Sequence, residues 1–435
     1  MAVCSGPRPR LYVYNESIGI PPWSMSYNAR LGHLPEIVRR SEHHTLQGEC
    51  ADFFLVHNYV SPTHSEPRSN QRVLALFERL AHEFTFFNRS GPRSHLLISP
   101  CDHGPGDCMF ERDAQTPPHV AASAAVQWAD LDPKSSRRRV GFLTLSGSPH
   151  PNPTNFLRGL DIRLPASDLH QCGPFCGSPH IDALQIRHAK RILRRYSPWS
   201  LNVDSSDRSA PAAIASNRAK LPPLPRSLRS RRTHRLFFAG RATKGGDRGD
   251  LFRWHRHERG FLLHDTSGRF PPVPSNSYNH SRLSAFAKAM ASSDFCFSPL
   301  GQSDGDSDRY LPAVLYGCVP VFPQPNEVLP FDDVLPWSRF SVQLKNGAAD
   351  LRRLPAILAA IDDARLRELR HGMAHVWQRL LWAKRNRRKS RLAPRLRSEA
   401  VDAISSSYLG EDGLSDAFST FIRTLELRLA KLPAH

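Results

Sequence analysis

Arg309 and the polar residues that precede it are the part of this sequence best equipped to hold an anion. They sit in the stretch from Ser292 to Leu344, which reads SSDFCFSPLGQSDGDSDRYLPAVLYGCVPVFPQPNEVLPFDDVLPWSRFSVQL. A short apolar run, Phe295 to Ser298, reads as a buried strand. A loop of Gly, Ser and Asp follows from Pro299 to Asp308. A helix then opens at Ser307 or Asp308 and carries Arg309, and a second apolar run, Val319 to Phe322, begins just after Gly317. Strand, polar Gly loop, helix and strand make the unit that can take a nucleotide diphosphate at a helix N-terminus. The loop lets backbone approach phosphate, the helix end offers free N–H groups, and Arg309 adds a fixed cation. The same pattern is also that of an ordinary βαβ unit without a ligand.

Other residues have chemistry open to them. Arg241 directly follows an apolar run and so falls at the carboxyl edge of an α/β sheet, where ligands bind. Its guanidinium could neutralise a leaving diphosphate, or it could pair on the surface with Asp247. Asp304-Gly305-Asp306 could hold a divalent ion through paired carboxylates, but solvated loop acids are the favoured reading. Asp102 and His103 follow the strand-like run Leu96–Ser99. Either could act as a general base, and Asp102 could equally cap a turn. Cys172 and Cys176 with His170 and His180 have no common zinc spacing, so no metal is expected.

The wording of the Ser292–Leu344 stretch closely resembles the donor-site segment of the exostosin family of glycosyltransferases. The matching pieces are Phe295-Cys296 with Pro299 and Gly301, Ser307 with Arg309 and Ala313, Gly317 to Val321, Leu329 to Phe331, and Trp337 with Phe340 to Val342. One position departs from the family: Pro312 stands where an acidic residue holds the donor ribose. Further pieces similar to family motifs run along most of the chain: Leu11–Tyr14, Ala51–Val56, Phe87–Gly91 with Arg93 and His95, Ser99–Gly104, Gly159–Pro165, Phe237–Arg241 and Asp416–Phe418.

The resemblance implies a B-type glycosyltransferase, α/β, with two Rossmann-like domains facing a cleft and closing helices at the C-terminus. It implies inverting transfer of a sugar from a nucleotide-sugar donor, a UDP-sugar by expectation, to a polysaccharide or glycoprotein glycan, with no cofactor or metal required. Donor binding then falls to Arg241, Ser298, Gly301, Ser307, Asp308, Arg309 and Gly317, and catalysis to Asp102 and His103. Family members work in the Golgi lumen behind an N-terminal anchor, and this sequence shows no such anchor. Either the sequence is a piece of a longer chain, or a partner glycosyltransferase subunit supplies retention. Pro312 and the altered Cys101-Asp102-His103 segment leave open an inactive paralogue that serves as a partner in a glycan-synthesis complex.

The elements that must position these residues alternate. Residues 1–204 read as one α/β domain, with strands at Arg10–Tyr14, Phe53–His57, His95–Ser99, Val140–Leu145 and Asp161–Leu164. Helical spacing relates Val73, Leu76, Phe77 and Leu80, and again Ile181, Leu184, Ala189 and Ile192. Residues 205–233 are rich in Ser, Pro, Ala and Arg and read as a linker or surface loop. Residues 234–435 form the donor domain, with strands Leu236–Ala239 and Phe261–His264. Its helices are expected over Ser281–Met290, Leu351–Ile361, Ala364–Ala383, Ala400–Ser407 and Leu414–Leu432.

The chain has 435 residues, enough for two cores, and a hydrophobic content of 40% that argues against wholesale disorder. Its net charge of +19 favours anionic partners: nucleotide sugars, acidic polysaccharide, phospholipid headgroups or nucleic acid. A basic nucleic-acid-binding protein is a second alternative on charge alone; no nucleic-acid-binding module is recognisable, so nucleic acid is not expected. The arginine runs at 137–139, 229–232 and 385–397 read as solvated surface. No apolar run reaches the roughly 18 residues a membrane-spanning helix needs. Cys101 with Cys108, and Cys172 with Cys176, could close short disulfide loops, and sequons occur at Asn15, Asn88 and Asn279.

Overall fold

The computed structural model describes residues 4–15, 34–56, 69–99, 139–145, 156–165, 192, 195–199, 224, 226–242, 246–266, 280–300, 309–382 and 416–431. The first part builds a parallel sheet from β1 (Leu11–Val13), β2 (Phe53–Val56), β3 (His95–Ser99), β4 (Gly141–Thr144) and β5 (Ile162–Arg163), in that spatial order. Helices α1 (Leu34–Arg39), α2 (Ser69–Glu83) and α3 (Thr85–Ser90) fall between the strands. Strand alternation separates two faces. Phe54, Val56, Leu97 and Phe142 pack with Leu76, Phe77 and Leu80 of α2 and with Phe86 and Phe87 of α3. Phe53, Leu55, Leu96, Ile98 and Leu143 join a second cluster that includes Leu34 and Val38 of α1. With both faces covered, apolar runs such as Phe53–Val56 lose the polar alternation of a half-exposed strand.

The second sheet is made of β6 (His234–Gly240), β7 (Phe261–Asp265), β8 (Ser293–Phe297), β9 (Val319–Phe322) and β10 (Val342–Gln343). Its order is β10-β9-β8-β6-β7, and every pairing is parallel. The connections carry α4 (Gly246–His255), α5 (His280–Ala291) and α6 (Tyr310–Leu315). In this order the chain reverses direction between β6 and β8, which is the switch point of a doubly wound sheet. The described strands of the first sheet run in simple sequence and show no such reversal. It is therefore parallel α/β, as expected, while only the second sheet has the doubly wound strand order.

After β10 come α7 (Ala348–Arg352), α8 (Leu354–Ala359) and α9 (Asp363–Val376), and α10 (Ala417–Leu429) ends the described chain. The single helix expected over Leu351–Ile361 is broken at Arg353. Pro355 would set its ring against the carbonyl of residue 351 in a continuous helix, so the chain restarts with proline in the first turn of α8. The helix expected to reach Ala383 instead ends at Val376, passes through a 3-10 turn and is extended by Leu381. Tertiary contacts hold that ending: Trp377 stacks on Trp199, and Trp382 Nε1 donates to Pro165 O at 2.8 Å. Asp416 caps α10 by accepting from Ser419 N. The helix then returns to the first sheet, where Arg428 Nη1 donates to Leu160 O at 2.6 Å.

The end of the expected linker is not solvated. Leu224 and Leu228 are buried. Arg232 donates to Met290 O, Ser293 O and Tyr316 O, and its own N–H goes to Asp294. Asp294 also receives Arg370 Nη2 at 2.7 Å and Arg235 Nη1 at 3.1 Å. Burial depresses the Arg232 pKa to about 9, and nearby Arg370 adds to this. Periodicity missed Arg232 because its partners are backbone carbonyls, which leave no trace in side-chain pattern. Among the described residues two disulfides, Cys4–Cys50 and Cys296–Cys318, join cysteines that had not been paired from spacing. Cys101, Cys108, Cys172 and Cys176, the His170 and His180 pair, Ala400–Ser407 and all of 181–191 lie outside the described residues. No described helix is long and apolar enough to cross a membrane.

Candidate functional site

The carboxyl ends of β6 and β8, at the switch point, gather three arginines. Arg309 precedes α6 with helical backbone angles, where it stands as the N-cap without capping through its side chain. Its guanidinium reaches across to β6, and Nη1 donates to Ala239 O at 2.6 Å. The same guanidinium lies 5.1 Å from the centroid of the Phe238 ring. Its Nε is closed off from solvent and has no hydrogen-bond partner among the described residues. Arg248 projects from the first turn of α4, and its Nε donates to Leu300 O at 3.0 Å. Arg241, just past β6, is exposed. The backbone after it is fixed, because Ala242 N donates to Asp265 Oδ1 at 3.0 Å.

The charge balance is one-sided. Burial, with the neighbouring Arg248 charge as a second cause, pushes the Arg309 pKa down to about 9. Arg248 is also depressed by burial. Neither guanidinium has a carboxylate partner among the described residues; each bonds only a backbone carbonyl there. Two partly desolvated like charges side by side are costly to the chain by themselves. An anion at the switch point would relieve that cost and occupy the remaining guanidinium N–H groups. The Arg241–Asp247 pairing considered from sequence does not form; Gln324 Nε2 donates to Asp247 instead. Arg248 was not found by sequence reading. The available signal was the placement of α4, whose first turn must start near the carboxyl edge of β6.

Of the other residues singled out, Ser298 directly follows β8 at the same edge. It is buried, its N–H donates to Val321 O at 2.8 Å, and its hydroxyl turns to Cys296 O. Gly317 stands apart. It precedes β9 and lies at the amino edge, the opposite end of the sheet from Arg241, Ser298 and Arg309. Its φ is +67°, and a Cβ there would meet Pro198 Cγ at 2.7 Å and Leu228 Cδ2 at 2.9 Å. Close packing and a left-handed backbone explain that glycine. Gly301, Ser307, Asp308, the Asp304-Gly305-Asp306 run, Asp102 and His103 lie outside the described residues. Among the described residues no group of three or more His, Cys, Asp and Glu side chains could hold a metal.

Pro312 is the third residue of α6, and all six helix residues are buried. The N–H of a third residue has no intrahelical acceptor, so proline costs little there. The helix continues normally past it, with Ala313 N donating to Arg309 O and Tyr316 N to Pro312 O.

In the first sheet His95 is buried, and its Nε2 is hydrogen-bonded to the Tyr14 hydroxyl at 2.8 Å. It stacks on Phe54 and meets the Phe87 ring edge-on. Burial raises the Tyr14 pKa well above the ordinary phenol value.

Residues 204–361 match the exostosin GT47 domain. That span contains β6 through α8, and with them Arg241, Arg248, Ser298, Arg309 and Gly317; the described strands of the first sheet lie outside it. A probable glycosyltransferase of Arabidopsis thaliana is 36% identical over 96 residues, which cover 22% of this chain and 20% of that protein. A probable glucuronosyltransferase of Oryza sativa subsp. japonica is 42% identical over 67 residues, 15% of each chain. An exostosin-1 homolog of Caenorhabditis elegans is 29% identical over 96 residues, covering 22% of this chain and 24% of that one. The matched stretch thus spans a quarter or less of each of these relatives. The likeness to the exostosin family rests on the stretch at 204–361, a little over a third of the chain.

Proposed function

We propose that the protein is a glycosyltransferase whose nucleotide-sugar donor binds at the switch point of the second sheet. The observation that carries this reading is the pair Arg248 and Arg309, partly desolvated and without a carboxylate among the described residues. Their shared edge with Arg241 suits a diphosphate, whose charge is spread over several oxygens that guanidinium forks can bind. The donor is a UDP-sugar, transfer to a glycan hydroxyl inverts the anomeric centre, and arginines rather than a metal neutralise the leaving diphosphate. Gly301, Ser307 and Asp308 would complete the cradle, and Asp102 or His103 would take the acceptor proton. The names of the relatives suggest a glucuronosyl donor as the first to try. The two disulfides favour an oxidising compartment, and we assign the Golgi lumen.

Isothermal titration of the folded protein with UDP tests the reading. Binding that is lost in Arg309→Ala supports it, and no heat from the wild-type chain removes it. Pro312 favours a second reading, an inactive member that serves as partner to an active subunit, because no acidic group stands at that buried position. UDP release from a panel of UDP-sugars separates the two, since a partner subunit binds UDP without releasing it from a sugar.

A further inference from the structure

Arg163 belongs to the first sheet, yet its side chain ends among residues of the second. It closes β5 and is 2% exposed. Its Nε donates to Leu145 O at 2.8 Å, just past β4. Its Nη1 donates to Glu327 Oε1 at 2.8 Å and to Val328 O at 2.5 Å, both in the segment after β9. Its own carbonyl accepts from Phe331 N at 3.0 Å. Phe331 has φ of 53°, a conformation that a bulky residue keeps only where its surroundings hold it. Finally, the Arg163 guanidinium carbon lies 5.8 Å from the centroid of the Tyr310 ring. Tyr310 is the first residue of α6 and the chain neighbour of Arg309. One guanidinium therefore ties the carboxyl edges of both sheets and rests on the turn that carries Arg309.

Stability alone does not explain this choice. A buried ion pair gains little over apolar residues of the same volume, because desolvation offsets the attraction. A planar fork with fixed donors adds direction instead. We propose that Arg163 is a positioning residue: it sets the first turn of α6, and so Arg309, relative to the first sheet, making donor binding depend on a residue outside the matched domain. This rests on the donor site described under the proposed function.

The test uses two variants of the full chain. Arg163→Met with Glu327→Gln removes both charges without leaving one buried alone. Arg163→Lys keeps the charge and loses the fork. Hydrogen exchange is followed over residues 309–316, with α5 as an internal control, and UDP affinity is measured by titration. The double variant should exchange roughly tenfold faster over 309–316 with α5 unchanged. Its UDP affinity should fall about 3- to 30-fold, with Arg163→Lys between it and wild type. Unchanged exchange over 309–316 overturns the coupling, whatever UDP does. Faster exchange with wild-type UDP affinity, while Arg309→Ala has lost it, overturns the functional role and leaves the donor site standing. A wild-type chain that binds no UDP overturns the donor site and this role together.

Discussion

Under the proposed function Arg309 has two roles, and its substitution should reveal both. The side chain bonds Ala239 O and lies over Phe238, so Arg309→Ala should cost about 1–2 kcal/mol of stability. Loss of a charge-assisted contact to phosphate should cost roughly 30- to 1,000-fold in turnover. Arg309→Lys should recover part of the rate, because a point charge replaces a fork. Urea melts and steady-state rates separate the two effects; near-wild-type turnover in the alanine variant would move the donor site elsewhere. The sequence could single out Arg309 because its motif is short and local. It could not single out Arg248, whose place depends on how α4 returns along the sheet. The stability role of Arg309 was also hidden, since a carbonyl on a strand some 70 residues earlier supplies its partner.

The turn before β9 and the disulfide beside it are the elements that hold the second sheet in shape. Gly317→Ala combines a strained φ with contacts closer than any real Cβ tolerates, so it should destabilise by about 2–4 kcal/mol. UDP affinity of the folded fraction should stay at the wild-type level, since the turn is at the far edge from the arginines. A fall in affinity without a fall in stability would return Gly317 to the donor site. The Cys296–Cys318 bridge spans a sequence separation of 22 and encloses α6. Its removal by Cys318→Ser with Cys296→Ser should cost about 3 kcal/mol, read from the shift of the denaturation midpoint. Strands were the most legible elements. β3 and β9 fall on the expected residues, because doubly buried strands write themselves as unbroken apolar runs. Helix ends were less legible. The break at Arg353 follows from Pro355 and could have been read; the end at Val376 depends on Trp199 and Pro165, far away in the chain.

The molecule as a whole should lose stability as pH falls from 7.5 toward 6. Burial holds His44, His264, His371 and His375 below the ordinary imidazole value of 6.5. The unfolded chain then binds more protons than the folded one in this window, so stability rises with pH and drops on acidification. Asp332, raised above 3.8 by burial, acts in the opposite sense but titrates from the acid side. Thermal melts across this range check the sign; a midpoint that rises on acidification would contradict it. At this scale the sequence showed two α/β halves but not how they are joined. One buried cluster runs from Leu11 and Leu143 of the first sheet to Phe295 and Val321 of the second. Arg158 pairs with Asp332 and Arg428 with Asp333 across the same junction. This shared core constrains recombination. A chimera that grafts the first half of one family member onto the second half of another, cut between 205 and 233, would place unmatched side chains against each other at 161–165 and 327–333. Such a graft should express poorly unless both segments travel together from one parent, so the inheritable module here is a pair of distant segments rather than a contiguous half.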